Sequence, residues 1–228
     1  MLISRFRQAH RIGFDLFLRE IADAKWKRGD SHCARTPEQT DFAVFWAANY
    51  LALWNRVVRE LAGAHLHNIG DSARLFALVS LSMGDAAITA WDSKVAYIFW
   101  RPMTAIRLGD DDTNPATIGD PDWQPLINNP NYPDYTSGAN NVTGAATRAL
   151  ALFFGTDEIP FTVTTTNPMA IQQTRAYSRF SDAADDVVTA RVYEGIHFRF
   201  ADAEARKQGR RVAQWAFGHF LKPLSDDK

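Results

Sequence analysis

The chain has 228 residues, 46% apolar and 22% charged, a balance that suits one globular domain with a sizeable core. A formal net charge of −1, with scattered basic residues, argues against a general nucleic-acid binder. Cys33 is the only cysteine, which excludes an internal disulfide, and no second Cys/His cluster in the sequence joins His32 and Cys33 to suggest a metal site. Met1-Leu2-Ile3-Ser4 runs directly into Arg5 and Arg7, so no signal peptide is expected. The apolar run Leu75 to Met83, closed by Asp85, is too short to span a bilayer. The expectation is a soluble chain with no membrane and no nucleic-acid partner.

Helical periodicity dominates. Phe6, Ile12, Phe14, Phe17 and Ile21 recur at helical spacings within Ile3 to Trp26, and Gly29-Asp30-Ser31 breaks the pattern. Thr36-Pro37-Glu38-Gln39 has the residues of a capping box with Pro in the first turn, and predicts a helix to about Ala64. Asp71-Ser72 opens another that should continue through Trp91 and Lys94 to Arg101, with Pro102 just beyond.

Asp110 to Tyr135 holds five prolines and little periodicity. It reads as a long ordered loop, and such loops in compact domains are usually functional. Gly138 to Phe154 reads as a helix ended by Gly155, Phe161 to Thr164 as a short strand, and Ser181 as the cap of a helix running through Ala183 to about Glu194, ended by Gly195. Ala201 to Leu221 is the last helix. Its Arg206, Lys207, Arg210 and Arg211, with Asp202 and Glu204 nearby, read as a solvated face. The fold class is all-α, a helical bundle.

Three distant segments offer groups suited to a tetrahedral oxyanion. Lys94 and Arg101 lie seven apart, two turns of the expected helix, so both should project from one face. Two cations on an apolar helix are costly unless an anion sits between them, although alone they could snorkel to solvent or pair with Asp92 or Asp110. Ser137 and Gly138 sit where the loop becomes a helix, and there free N–H groups attract anions. A plain N-cap serine would look the same. Arg191 and His197 would fall on different faces of one helix, but Gly195 can end it and let His197 turn back. A salt-bridged surface arginine and an ordinary histidine are the everyday alternative.

Together these segments resemble the signature of the vanadium-dependent haloperoxidase and type 2 phosphatidic acid phosphatase superfamily. That signature is Lys-x6-Arg-Pro, then Ser-Gly-His, then Arg-x5-His, and Lys94, Arg101, Pro102, Ser137, Gly138, Arg191 and His197 stand at matching places. The likeness covers about 36–220, within a single domain over 1–228, and implies the helical bundle of the haloperoxidases and acid phosphatases. It further implies that Lys94, Arg101 and Arg191 hold oxyanion oxygens, that Ser137 and Gly138 donate hydrogen bonds, and that His197 bonds the vanadium of vanadate or attacks phosphorus. Three fixed cations are chemically suited to charge spread over three oxygens, with imidazole as the nucleophile.

The likeness fails at the histidine after Ser-Gly, where this chain has Ala139 and then Asn140. That histidine serves as the acid–base partner, and losing a general acid costs about 10²–10⁴-fold in rate. Asn140 could donate a hydrogen bond there but transfers no proton. The acidic residue and Gly/Pro-rich stretch expected near Ala48-Asn49-Tyr50, which would steady an active-site arginine, are missing too. The chain is also short for a haloperoxidase, as if an N-terminal helical region were absent.

Three readings follow from the resemblance. The first is a vanadate-dependent haloperoxidase using hydrogen peroxide and halide, intact or impaired, with Trp91 and Tyr132 near the halide and peroxide site. The second is a phosphomonoester hydrolase taking phosphate esters in the same pocket. The third is a non-catalytic oxyanion-binding relic. Vanadate is the expected cofactor, phosphate its counterpart in the second reading, and a homo-oligomer is compatible with the sequence.

Overall fold

The computed structural model describes residues 35–111 and 118–222. The expected helix over Ile3 to Trp26 and the His32–Cys33 pair lie outside the described residues.

Helix α1 (Pro37–Trp46) opens on a complete capping box: Thr36 Oγ1 accepts from Gln39 N at 3.2 Å, and Gln39 Oε1 accepts from Thr36 N at 3.1 Å. It stops at Ala47, and α2 (Tyr50–His65) restarts with Asn49 capping Ala52 N. One helix was expected here. The break is stabilised from far along the chain. Asn167 Nδ2 donates to Val44 O and Ala47 O, and Thr165 Oγ1 donates to Phe45 O, so the carbonyls α1 leaves open are satisfied.

Helix α3 (Ile69–Tyr97) is the longest, and starts earlier than expected because Asn68 caps Asp71 N. It ends at Ile98, whose backbone is left-handed (φ 46°), and α4 (Pro102–Arg107) follows with Pro102 at its first position. Arg101 therefore is not on the helix of Lys94, contrary to the expectation that the two lie two turns apart on one helix. Helix α5 (Gly138–Phe154) ends on the left-handed Gly155 as expected. Strand β1 (Phe161–Thr164) pairs antiparallel with β2 (Thr174–Tyr177), a strand not foreseen, with Phe161 opposite Tyr177. Helix α6 (Phe180–Glu194) is capped not by Ser181 itself but by Asp157, whose carboxylate accepts from Ser181 N. Helix α7 (Arg199–His219) closes the bundle.

Helices α3, α5 and α7 pack together, α6 lies against α5, and α1 against α6. The core between them holds Phe45, Trp46, Trp54, Leu75, Met83 and Phe180, with Trp54 Nε1 donating to the buried Thr143 Oγ1 at 3.1 Å. By length and composition the stretch Ile69–Arg107 would also pass as a membrane span. Its Leu75, Leu78, Val79 and Met83 side chains are buried within the bundle. A two-stranded ribbon among these helices leaves the class all-α.

The described part of the loop before α5 is pinned by its backbone. Asp120 N donates to Ile106 O, Leu126 N to Glu194 O and Asp134 N to Phe99 O. Trp123 is buried beneath it with Ile106 and Phe198. This second small cluster sets where 130–137 passes the end of α3.

Candidate functional site

Lys94 and Arg101 are 2% and 3% exposed, which for cations demands a compensating environment. Lys94 Nζ donates to Pro133 O at 2.7 Å and Asp134 O at 2.9 Å. Arg101 Nε donates to Tyr132 O at 2.7 Å, and its Nη1 to Ile196 O at 2.6 Å. The loop carbonyls thus hold both cations although they come from different elements. Tyr132 covers them, its ring centroid 5.1 Å from Lys94 Nζ and 4.9 Å from Arg101 Cζ. Trp91 lies 5.4 Å from Tyr132, ring to ring, and both aromatics stay half exposed at the rim. Trp91 also approaches the start of α5 so closely that a Cβ on Gly138 would meet its ring at 2.9 Å.

Arg191 lies in the last turn of α6, paired through Nη1 with Glu194 Oε2 at 2.7 Å. Gly195 (φ 78°) then reverses the chain, and His197 returns buried towards the loop. Its Nδ1 lies directly against Asp134 Oδ1.

Burial and the charges of Arg101, Arg191 and Lys94 hold the His197 imidazole well below its usual pKa, hence neutral. Burial likewise pushes Asp134 well above the carboxylate range, so this pair is no full ion pair. Lys94 falls to about 8 through burial and then Arg101. Glu194 rises to about 7 by burial, against the pull of Arg191. The cations and His197 share one electrostatic neighbourhood.

Several polar atoms in that neighbourhood are buried with no hydrogen-bond partner among the described residues: the donors Arg101 Nη2, Arg191 Nε and Ser137 Oγ, the last beside the Asp202 carboxyl, and the acceptors Asp134 Oδ2 and Asp202 Oδ2. Ser137 occupies the N-cap position of α5 without making a side-chain cap, so the plain capping role does not account for its hydroxyl. An unmet buried donor costs about 1–3 kcal/mol, more when charged. Three of them beside a neutral histidine fit a ligand with several acceptor oxygens. Two open clefts, of about 570 Å³ beside Asp41 and Arg175 and about 520 Å³ beside Arg148 and Arg210, lie elsewhere and include none of these groups. The cation cluster is closed over by Tyr132 and Trp91, so size of opening is a poor guide to the chemistry here.

Several residues of this cluster escaped the sequence reading. Asp134 lies inside the segment already singled out, Glu194 stands beside Gly195, and Tyr50 has its hydroxyl buried near Arg191. The acid expected near residue 48 to steady the arginine is supplied instead by Glu194, one turn from Arg191. Asp202, expected beside a solvated face, is instead fully buried, and its Oδ1 accepts from Asn140 Nδ2 at 2.8 Å. That bond uses one of the two hydrogens of the amide expected to serve a ligand in place of the histidine. Lys207, Arg210 and Arg211 do face solvent, and Arg206 pairs with Asp185.

A family model of the VCPO second helical-bundle domain matches residues 74–226. Vanadium chloroperoxidase of Curvularia inaequalis is 28% identical over 233 aligned positions, covering 75% of this chain and 37% of that enzyme. The structure of a bacterial vanadium-dependent iodoperoxidase superposes with a TM-score of 0.77 at 27% identity, over 92% of this chain and 51% of that one. A holo-type bacterial vanadium-dependent chloroperoxidase gives 0.70 at 16% identity, over 89% and 47%, a likeness of fold alone. The chain thus spans about half or less of the length of these relatives. With the domain match running over most of its length, the chain belongs to the vanadium chloroperoxidase second helical-bundle family.

Proposed function

We propose that the chain binds vanadate at this cluster and oxidises halide with hydrogen peroxide. The observation that carries the reading is the set of buried cations with unspent donors around a neutral histidine. Lys94, Arg101 and Arg191 would hold the oxyanion oxygens, Ser137 Oγ and the Gly138 N–H would add hydrogen bonds, and His197 Nε2 would bind the vanadium. Bound vanadate supplies a Lewis-acidic centre that activates peroxide towards halide. The remaining tasks fall to the chain. Asp134 against Nδ1 fixes the ring, and with the proton on Nδ1 the other nitrogen presents a lone pair. Trp91 and Tyr132 shield the cations from water, which strengthens every interaction with an anion. The unit proposed to carry the site is the helical core of about 36–220, acting on small molecules.

One observation favours a second reading, oxyanion binding without turnover: Ala139 stands where the superfamily signature has its acid–base histidine. Calorimetric titration with orthovanadate, followed by halide-oxidation and phosphomonoesterase assays on the same sample, separates the outcomes. Binding with peroxide-dependent halide oxidation is expected. Binding with ester hydrolysis alone assigns a phosphatase, and binding with neither activity assigns a relic. No binding of vanadate sinks all three.

A further inference from the structure

Asp202 is fully buried in the first turn of α7. Its Oδ1 is held by Asn140, the residue after Ala139, while its Oδ2 has no hydrogen-bond partner among the described residues. The Ser137 hydroxyl adjoins the same carboxyl. Around it stand Arg191 and Glu194 of α6, Lys94 of α3, Tyr50 of α2, and Arg101 and Asp134 from the intervening segments.

A carboxyl group inside an oxyanion site has two physical options. As a carboxylate it engages the cations itself and repels the ligand. As a carboxylic acid its free oxygen donates a hydrogen bond to the ligand. Burial raises Asp202 to about 7, against the opposing pull of Arg191, Ser137 and Asn140. An arriving anion adds negative charge beside it and favours the protonated form further.

We infer that Asp202 is the proton donor of this site, its Oδ2–H passing a proton to an oxygen of the bound ligand in the role that Ala139 leaves unfilled. The inference rests on the oxyanion reading above. Forming hypohalous acid and water from hydrogen peroxide and halide consumes one proton per turnover. The Oδ2–H bond breaks, the electron pair stays on the carboxylate, and solvent acid restores the proton. In ester hydrolysis the same proton goes to the leaving alkoxide. Asn140 is a positioning residue that keeps Oδ2 turned towards the ligand.

The test titrates wild type and Asp202→Asn with inorganic phosphate at about pH 8, in two buffers of different ionisation enthalpy, to count protons taken up. At that pH a group of pKa about 7 is about nine-tenths ionised, so its protonation on binding contributes close to one proton. Lys94 and Glu194 titrate in the same range, so the quantity read is the difference between the two proteins. The Asn variant is expected to bind phosphate comparably, take up about one proton fewer, and turn over about 10²–10⁴-fold more slowly. Infrared difference spectra of wild type with and without phosphate give a second measurement that does not depend on the variant folding. A protonated-carboxyl band should appear on binding. Its failure to appear, or tighter binding by the Asn variant with unchanged proton uptake, overturns the assignment. Binding by neither protein, of phosphate or of vanadate, removes the oxyanion reading itself.

Discussion

His197 and Asp134 are in direct contact, Nδ1 against Oδ1, with both side chains buried. Burial raises the acid and lowers the base, so a neutral acid beside a neutral imidazole, its one hydrogen on Nδ1, is more stable than two opposite charges. That proton decides which ring nitrogen is free for chemistry.

Asp134→Ala should therefore weaken vanadate about 10–100-fold, the usual effect of removing the partner that orients a ligating histidine. Asp134→Asn should recover part of the loss, because an amide oxygen still accepts from Nδ1–H. Calorimetry giving equal affinities for wild type and both variants would show that the contact has no orienting role.

Vanadate and phosphate should compete for one site, since both offer tetrahedral oxygens to the same donors. Arg101→Ala and Arg191→Ala should each weaken both ligands, by about 2–5 kcal/mol for a buried charged hydrogen bond. The two variants should differ in stability. Removing Arg191 leaves Glu194 buried without its cation, whereas Arg101 makes no ion pair among the described residues and donates to backbone carbonyls. Urea denaturation beside displacement titration checks both. Unchanged affinity in both variants would place the anion elsewhere.

Most helices and the order of charged segments along this chain were legible because each rests on local signals: the Thr36 capping box, Gly155 and Gly195 as stops, Ser137 at a loop–helix junction. The misses share a cause. The break between α1 and α2 is held by Thr165 and Asn167, more than a hundred residues away, and nothing near Ala47 announces it. Arg101 reaches its place by a left-handed turn at Ile98, a residue that disfavours that conformation, so the sequence gives no warning. Asp202 lies one turn from charged, solvent-facing residues, and only the packing of α7 against α5 turns it inward.

Stability should carry the mark of Asp202. Its folded pKa is raised from 3.8 to about 7, so the folded state holds its proton more tightly than the unfolded state. That stabilising contribution is complete below about pH 4 and is lost as pH rises through about 7. Three units correspond to about 4 kcal/mol at most. Asp202→Asn, which has no proton to lose, should thus match or trail wild type near pH 4 and gain on it steadily towards pH 8. Denaturant midpoints across that range test this, and parallel curves for the two proteins would contradict it.

Ala139 follows Ser137-Gly138 at the start of α5 and is half buried. Ala139→His should raise turnover, while His197→Ala should abolish it. The two roles are separable: His197 makes the bond to the central atom, and position 139 only moves or holds a proton. If Asp202 already donates that proton, the gain from Ala139→His should be modest in wild type and larger in the Asp202→Asn background, where no donor remains. For phosphate esters the gain should be greatest with poor leaving groups, since a good one departs without protonation. For halide oxidation it should appear in the peroxide-dependent step. Rates for wild type, both single variants and the Ala139→His/Asp202→Asn pair, each with vanadate affinity measured alongside, resolve the question. Intact binding with no gain in either background would mean that the pocket binds oxyanions without turning them over.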